Sequence, residues 1–154
     1  MKHRFLLDEN ILYFAIYGVD EHDRPDQTST ELVRRIGANC HRIVVNQFLV
    51  DRYWHHLTGI MRDGKRGRAM EPVSFVVQLL KNSEKLGREH DECPELPAGV
   101  VVPAEDVEIV RLALLAQTTI VTGDSDLRSA VNGAQALGLR ALAPSEALIP
   151  AADS

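Results

Sequence analysis

The chain has 154 residues, the size of one domain with its own hydrophobic core. Apolar residues make up 45% of the sequence and charged residues 25%, as in ordinary globular proteins, so the composition excludes a disordered chain. The net charge of −5 argues against binding nucleic acid through an overall positive charge, although it is compatible with local basic patches.

The sequence contains no signal for a membrane or a secreted protein. No run of apolar residues approaches the roughly 20 that a membrane helix needs, and the apolar run behind the basic residues 2–4 is too short for a signal peptide. Cys40 and Cys93 stand in neither a zinc-binding nor a redox spacing. We therefore expect a cytoplasmic protein without a membrane segment.

The first half of the chain alternates short apolar runs with segments of helical spacing. A strand over residues 3–7 and a buried helix after Asp8 precede a polar loop, and Gly37 is expected to end the next helix. Asn46 caps a further helix. The remaining elements predicted here are the helix at 28–36, a strand at 43–45, a helix from 47 to about 61, a basic loop at 62–68 and a helix at 71–86.

The second half continues the alternation after a long polar loop at residues 87–99. The predicted elements are a third strand at 100–102, a helix at 107–117, a fourth strand at 119–121, a helix at 125–137, a fifth strand at 139–142 and a final helix from Pro144. Strands that alternate with helices imply crossover connections. We therefore predict a single α/β domain over residues 1–150, with a mostly parallel central sheet of about five strands flanked by helices, and a C-terminal tail at 151–154.

Four aspartates fall where ligands bind in such a fold, beyond the carboxyl ends of the strands. Asp8, Asp106 and Asp124 follow predicted strands, and Asp51 lies in the helix after the second one. Taken singly, the first three also suit helix N-caps and Asp51 suits a solvent-facing position. Taken together, converging carboxylates require a cation or shifted pKa values. Because clustered His or Cys is missing, Mg²⁺ is favoured over zinc, and phosphodiester hydrolysis becomes the leading chemistry.

Three segments resemble the PIN-domain family. Residues 6–10, Leu-Leu-Asp-Glu-Asn, resemble the family's opening strand, and residues 106–113 followed by 119–127 resemble its acidic helix start and its strand ending in Thr-x-Asp-x-Asp-Leu. Residues 142–148 are similar to its closing segment. The family usually has a Glu on the helix after the second strand, where this chain has Asp51, which is one methylene shorter.

The resemblance implies an endoribonuclease that uses Mg²⁺ or Mn²⁺ to cleave RNA. Many such proteins are VapC-like toxins that a cognate antitoxin protein silences and that form homodimers, so these partners are expected. The resemblance assigns metal binding to Asp8, Asp106 and Asp124, completion of the acidic pocket to Asp51, and support of the site to Asn10, Thr122 and Asp126.

A compact basic cluster at residues 62–68 is a candidate RNA-binding segment, because clustered cations follow a phosphate backbone. A solvated loop explains the same charges equally simply. The cluster comprises Arg62, Lys65, Arg66 and Arg68.

Two other functions are compatible with parts of the sequence. A haloacid dehalogenase-like phosphatase would also use an acidic α/β site, but it needs a second Asp two places after the nucleophile, where this chain has Asn10. A PIN-fold module that has lost catalysis and serves as a binding or scaffold protein is the other alternative. Its support is the replacement of the usual Glu by Asp51.

Overall fold

The computed structural model describes residues 2–62 and 66–153, with side chains described from residue 71 onwards in the second range. Its strands are β1 (Arg4–Leu7), β2 (Arg42–Val45), β3 (Leu86–Arg88), β4 (Thr119–Val121) and β5 (Ala141–Leu142). They form one sheet in the order β3-β2-β1-β4-β5, and every pairing is parallel. Parallel neighbours require crossover connections, which the helices supply.

Seven α-helices flank the sheet in the described part of the chain. They are α1 (Glu9–Tyr17), α2 (Thr28–Ala38), α3 (Gln47–Arg62), α4 (Arg66–Lys81), α5 (Val107–Ala116), α6 (Ser125–Gly133) and α7 (Pro144–Ala151). Short 3-10 turns at Ala104–Asp106 and Gln135–Leu137 precede α5 and follow α6. The predicted α/β class is therefore confirmed, and the arrangement is consistent with a PIN-like fold.

The central strands are buried on both faces of the sheet. Ile43, Val44 and Val45 of β2 are consecutive, so their side chains alternate between the two faces, and all three are 0% exposed. Such a strand can form only where helices cover both sides, which explains why β2 is a continuous β-branched run. None of the described helices has the length and apolar character needed to cross a lipid bilayer.

The third strand lies elsewhere than the sequence predicted. Residues 100–102 are not a strand, and Val101 is 83% exposed. The position beside β2 is taken by β3 at Leu86–Arg88, in a segment that the prediction divided between a helix and a loop. The cause is a turn at Asn82, whose carbonyl accepts from Lys85 N–H at 2.9 Å and ends α4 at Lys81.

Two further expectations about helix ends are corrected. Gly37 does not end α2, which continues to Ala38 with Asn39 as its cap. A Cβ at Gly37 would lie 2.9 Å from Cζ of Phe75, so the glycine instead allows α4 to approach closely. The predicted basic loop at 62–68 is also partly helical, because α3 runs to Arg62 and α4 begins at Arg66.

At the β5 edge of the sheet, a side chain takes the place of a further strand. The carbonyl of Arg140 accepts from the Ile120 N–H and that of Leu142 from the Thr122 N–H, so the N–H and C=O of Ala141 point outward. The Asn132 amide bonds both groups, donating to Ala141 O at 2.9 Å and accepting from Ala141 N–H at 2.8 Å. The outward groups at this residue are therefore satisfied within the chain.

The C-terminus packs against the start of the sheet through His41. The imidazole is 1% exposed, its Nδ1 accepts from the backbone N–H of His3 at 3.0 Å, and Nε2 is 3.1 Å from Ala151 O. Nδ1 is therefore unprotonated and Nε2 carries the proton that Ala151 accepts. Ala151, where we expected a tail to begin, is instead the fully buried end of α7.

This geometry predicts a pH-dependent contribution of His41 to stability. Burial lowers the pKa of His41 below its usual 6.5, so the unfolded chain binds the proton more readily. The stability that the neutral His41 contributes is present above pH 6.5, and it is lost as the pH falls below 6.5 toward the lowered pKa of the folded protein. Urea unfolding of the wild type and of His41→Gln, which stays neutral, should show a steeper decrease between about pH 7.5 and pH 5.5 for the wild type. Equal pH dependence in the two proteins would contradict the assignment.

Candidate active site

Asp8 is held at the carboxyl end of the sheet by its own backbone. Its N–H donates to Val121 O at 2.9 Å, which extends the pairing of β1 with β4 by one residue. Asp8 occupies the N-cap position of α1, but its side chain makes no capping bond. The residue is 4% exposed, and burial raises the pKa of its carboxyl group, partly offset by a hydrogen bond from Thr122.

The Thr122 hydroxyl connects Asp8 to Asp124. Thr122 is 0% exposed, and its Oγ1 donates to Asp8 Oδ2 at 2.7 Å while accepting from the Asp124 N–H at 3.0 Å. Gly123 lies between them with its backbone against α1, and a Cβ there would lie 2.4 Å from Cε2 of Phe14. The absence of a side chain at residue 123 therefore lets the Phe14 ring pack directly against the turn from β4 into α6.

Asp124 both caps a helix and contributes charge to the site. Its Oδ1 accepts from the N–H groups of Asp126 at 2.9 Å and Leu127 at 3.3 Å, which is the N-cap of α6. The charge of Asp124 also raises the pKa of Asp106. Asp124 therefore caps α6 and also adds negative charge next to Asp106.

Asp106 is the most strongly perturbed carboxylate of the described residues. It ends the 3-10 turn before α5, is 5% exposed, and its buried Oδ2 has no hydrogen-bond partner in the described part of the chain. Burial, followed by the charges of Asp8 and Asp124, raises its pKa to about 6. The structure thus brings Asp8, Asp106 and Asp124 within electrostatic reach of one another at one edge of the sheet.

The residues expected to support the site differ in their contacts. Asn10 donates from Nδ2 to Asp8 Oδ2 at 3.3 Å and accepts the Gly123 N–H at 3.4 Å, so it links the two loops. The side chain of Asp126 is exposed, and only its backbone N–H bonds to Asp124. Asn10 and Thr122 surround Asp8 as expected, whereas the Asp126 carboxylate faces solvent.

Asp51 is on the solvent side of α3 and does not join the cluster. It shares an exposed stripe with Phe48, His55 and Thr58, at the spacing of one helix face. Its Oδ1 accepts from Gln47 Nε2 at 2.8 Å. The buried face of the helix lies on the opposite side, so the acidic pocket that we expected Asp51 to complete is formed without it.

Glu9 and Arg52 occupy the place expected for Asp51, and the sequence interpretation missed both. Arg52 Nη2 forms an ion pair with Glu9 Oε1, and Nη1 donates to the carbonyl of Glu105 at 3.3 Å. The guanidinium therefore bridges the residue after Asp8 and the residue before Asp106. The helical spacing could have revealed this, because position 52 flanks the buried face of α3 and position 51 does not.

Two buried polar atoms in and next to this ion pair have no hydrogen-bond partner in the described part of the chain. They are Glu9 Oε2 and Nε2 of His56, one helical turn after Arg52. Burial lowers the pKa of His56, partly offset by the Glu9 charge. The edge of the site thus contains unsatisfied hydrogen-bonding capacity of both kinds, carboxylate and imidazole.

The expected basic RNA-binding cluster is described only in part. Arg62 is exposed at the end of α3, Lys65 lies outside the described residues, and Arg66 and Arg68 belong to α4 without described side chains. The prediction that these residues contact RNA therefore stays a prediction.

The available donors suit a hard divalent cation. Within residues 2–62 and 66–153, no three His, Cys, Asp or Glu side chains form a ready-made metal-binding group. Mg²⁺ does not require one, since it is usually held by one or two carboxylates with water and substrate phosphate. The buried carboxylates of Asp8 and Asp106 are oxygen donors of this kind, and a cation would compensate their charge.

Comparisons of the chain with protein-family models, with curated proteins and with solved structures found no match.

The burial of Asp106 predicts that this residue destabilises the metal-free protein. Because its pKa is raised from 3.8 to about 6, stability falls as the pH rises through this range. In EDTA at about pH 7.5, Asp106→Asn should raise the free energy of unfolding by roughly 1–3 kcal/mol, and the difference should shrink toward about pH 4. Urea unfolding measures both, with Asp126→Asn as the exposed control. An Asp106→Asn protein less stable than wild type at pH 7.5 would contradict the prediction.

Proposed function

We propose that the chain is an endoribonuclease that uses Mg²⁺ or Mn²⁺ to hydrolyse RNA phosphodiester bonds. The observation that carries the proposal is the pair of buried aspartates, Asp8 and Asp106, at the carboxyl edge of a parallel sheet. Among the described residues, Asp106 Oδ2 has no hydrogen-bond partner. Burying carboxylates so close to one another is unfavourable without a counter-ion. A site that maintains this arrangement is best explained by a cation that the carboxylates bind.

Each side chain has a defined task in the proposed reaction. Asp8, Asp106 and Asp124 would hold the ion, and Thr122 keeps the Asp8 carboxylate in place through its hydroxyl. When bound, the ion would polarise the scissile phosphate and lower the pKa of an attacking water. Because water can attack the phosphate directly, no covalent intermediate with the protein is needed.

The finer parts of the proposal are supported by the sequence resemblance. A toxin role, a cognate antitoxin partner and a homodimer come from the likeness of residues 6–10 and 119–127 to VapC-like proteins. The PIN-like arrangement of the sheet is compatible with this likeness. A short open reading frame beside the gene that encodes an antitoxin-like protein would support the toxin role.

We expect the purified protein to cleave a structured RNA in Mn²⁺ or Mg²⁺, and EDTA to stop the cleavage. Asp8→Asn should lower the rate by more than the roughly 10- to 100-fold that loss of an outer partner of a metal ligand costs, and Thr122→Val should fall within that range. Asp51→Asn, on the exposed face of α3, should leave the Mn²⁺ affinity unchanged. Cleavage is read on gels and Mn²⁺ affinity by calorimetry.

Two results would overturn the proposal. If Asp8→Asn and Asp106→Asn cleave as fast as wild type, the activity belongs to another site or to a contaminant. If the wild type binds Mn²⁺ and RNA but cleaves no RNA, the chain is a binding module with the same fold. Circular dichroism of each variant separates these results from a loss of folding.

A further inference from the structure

An arginine and an exposed phenylalanine lie side by side on α3, next to the carboxylates. Arg52 Cζ is 5.4 Å from the centroid of the Phe48 ring, at the i,i+4 spacing that brings side chains together on a helix. Phe48 is 43% exposed and the Arg52 side chain 28% exposed. The Phe48 ring is therefore accessible to a ligand that approaches from solvent.

The contacts of Arg52 place its positive charge between two elements of the site. Its ion pair with Glu9 and its hydrogen bond to the Glu105 carbonyl hold the guanidinium against the residues that flank Asp8 and Asp106. A phosphate bound by Arg52 would therefore lie beside the carboxylate cluster. If the chain is a nuclease as proposed, the phosphate that neighbours the scissile bond lies in this same place, beside the carboxylates.

The guanidinium also has donors to spare. An arginine carries five N–H donors in a planar fork that matches a phosphate group, and the two described bonds engage one N–H on Nη1 and one on Nη2. A phosphate would therefore engage the remaining N–H donors of Arg52 without displacing its bonds to Glu9 and Glu105.

The surroundings of Phe48 fit a nucleotide base better than a protein partner. Its neighbours along the exposed stripe of α3 are Asp51, His55 and Thr58, so the stripe that carries the ring is otherwise polar. The buried centres of protein interfaces are depleted of charged residues. An aromatic ring next to a cation is instead the combination that binds single strands, with bases stacked on the ring and phosphates on the cation.

We propose that Phe48 and Arg52 form a nucleotide subsite in which Arg52 binds a backbone phosphate of single-stranded RNA and Phe48 stacks on the neighbouring base. The subsite rests on the proposed nuclease function and adds the residues that position the substrate. Asp51 follows Phe48 by three residues on the same stripe, and its charge opposes the phosphate. Removing that charge should therefore strengthen RNA binding.

The test measures the binding of a short fluorescein-labelled single-stranded RNA by fluorescence anisotropy in EDTA, where no cleavage occurs. Arg52→Ala and Phe48→Ala should each weaken binding by about 10-fold or more, the effect of losing one stacked base or one charged contact. Arg52→Lys should bind between wild type and Arg52→Ala because it keeps the charge and loses the fork. Phe48→Trp should bind RNA as well as the wild type because it keeps an aromatic face, and Phe48→Leu should bind as weakly as Phe48→Ala. Asp51→Asn should bind more tightly than the wild type.

Matched controls come from another part of the chain. Arg34 is an exposed arginine paired with Glu31 on α2, and Phe75 on α4 is 38% exposed, close to the exposure of Phe48. Arg34→Ala and Phe75→Ala should bind the RNA as the wild type does. Thermal unfolding of every variant shows whether the fold is intact, and the exposure of Phe48 makes its substitution compatible with folding.

The possible outcomes separate the subsite from the nuclease proposal. If the wild type binds Mn²⁺ and cleaves RNA while Arg52→Ala and Phe48→Ala bind RNA unchanged, the subsite is wrong and the nuclease proposal stands. If the wild type binds neither Mn²⁺ nor RNA, both are wrong. If Phe48→Ala changes the sedimentation coefficient but not the RNA affinity, the ring belongs to an interface between copies of the chain and the subsite is wrong.

Discussion

The site depends on the parallel pairing of β1 with β4. This pairing sets Leu7 opposite Val121, so the residues that follow, Asp8 and Thr122, leave the sheet side by side. The hydroxyl of Thr122 then fixes the Asp8 carboxylate and the backbone of Asp124 with a single oxygen atom. Residues more than 110 positions apart in sequence are in this way brought into hydrogen-bond contact by the register of two short strands.

The other half of the site is assembled by α3 and the turn before α5. The hydroxyl of Tyr53 donates to the carbonyl of Leu7, which ties α3 to the end of β1, and the neighbouring Arg52 reaches Glu9 and Glu105. One helix therefore positions both the buried Tyr53 and the partly buried Arg52. The carboxylates and the proposed nucleotide subsite share this framework, so their relative placement is set by packing of the core.

The sequence predicted the elements with strong patterns and failed where the pattern was ambiguous. The β-branched run at 43–45 and the helix cap at Asn46 were found because burial on two faces and capping leave distinct signatures. β3 was missed because Leu86–Arg88 is short and contains a glycine, whereas the three valines at 100–102 imitate a strand. For the site, the position after a strand holds for Asp8 and Asp124, whereas the strand predicted before Asp106 does not form, and metal binding by these residues stays a prediction. Arg52 was missed because a search for carboxylates gives no weight to a cation that pairs with one.

The amide of Asn132 has a consequence for how copies of this molecule can associate. By bonding the outward N–H and C=O of Ala141, it leaves no vacant backbone groups at this residue for an extended segment of a second molecule. Lateral growth of the sheet by strand addition is thus blocked at Ala141. A protein lacking the amide would leave the outward N–H and C=O of Ala141 open to pairing with an extended segment of another molecule.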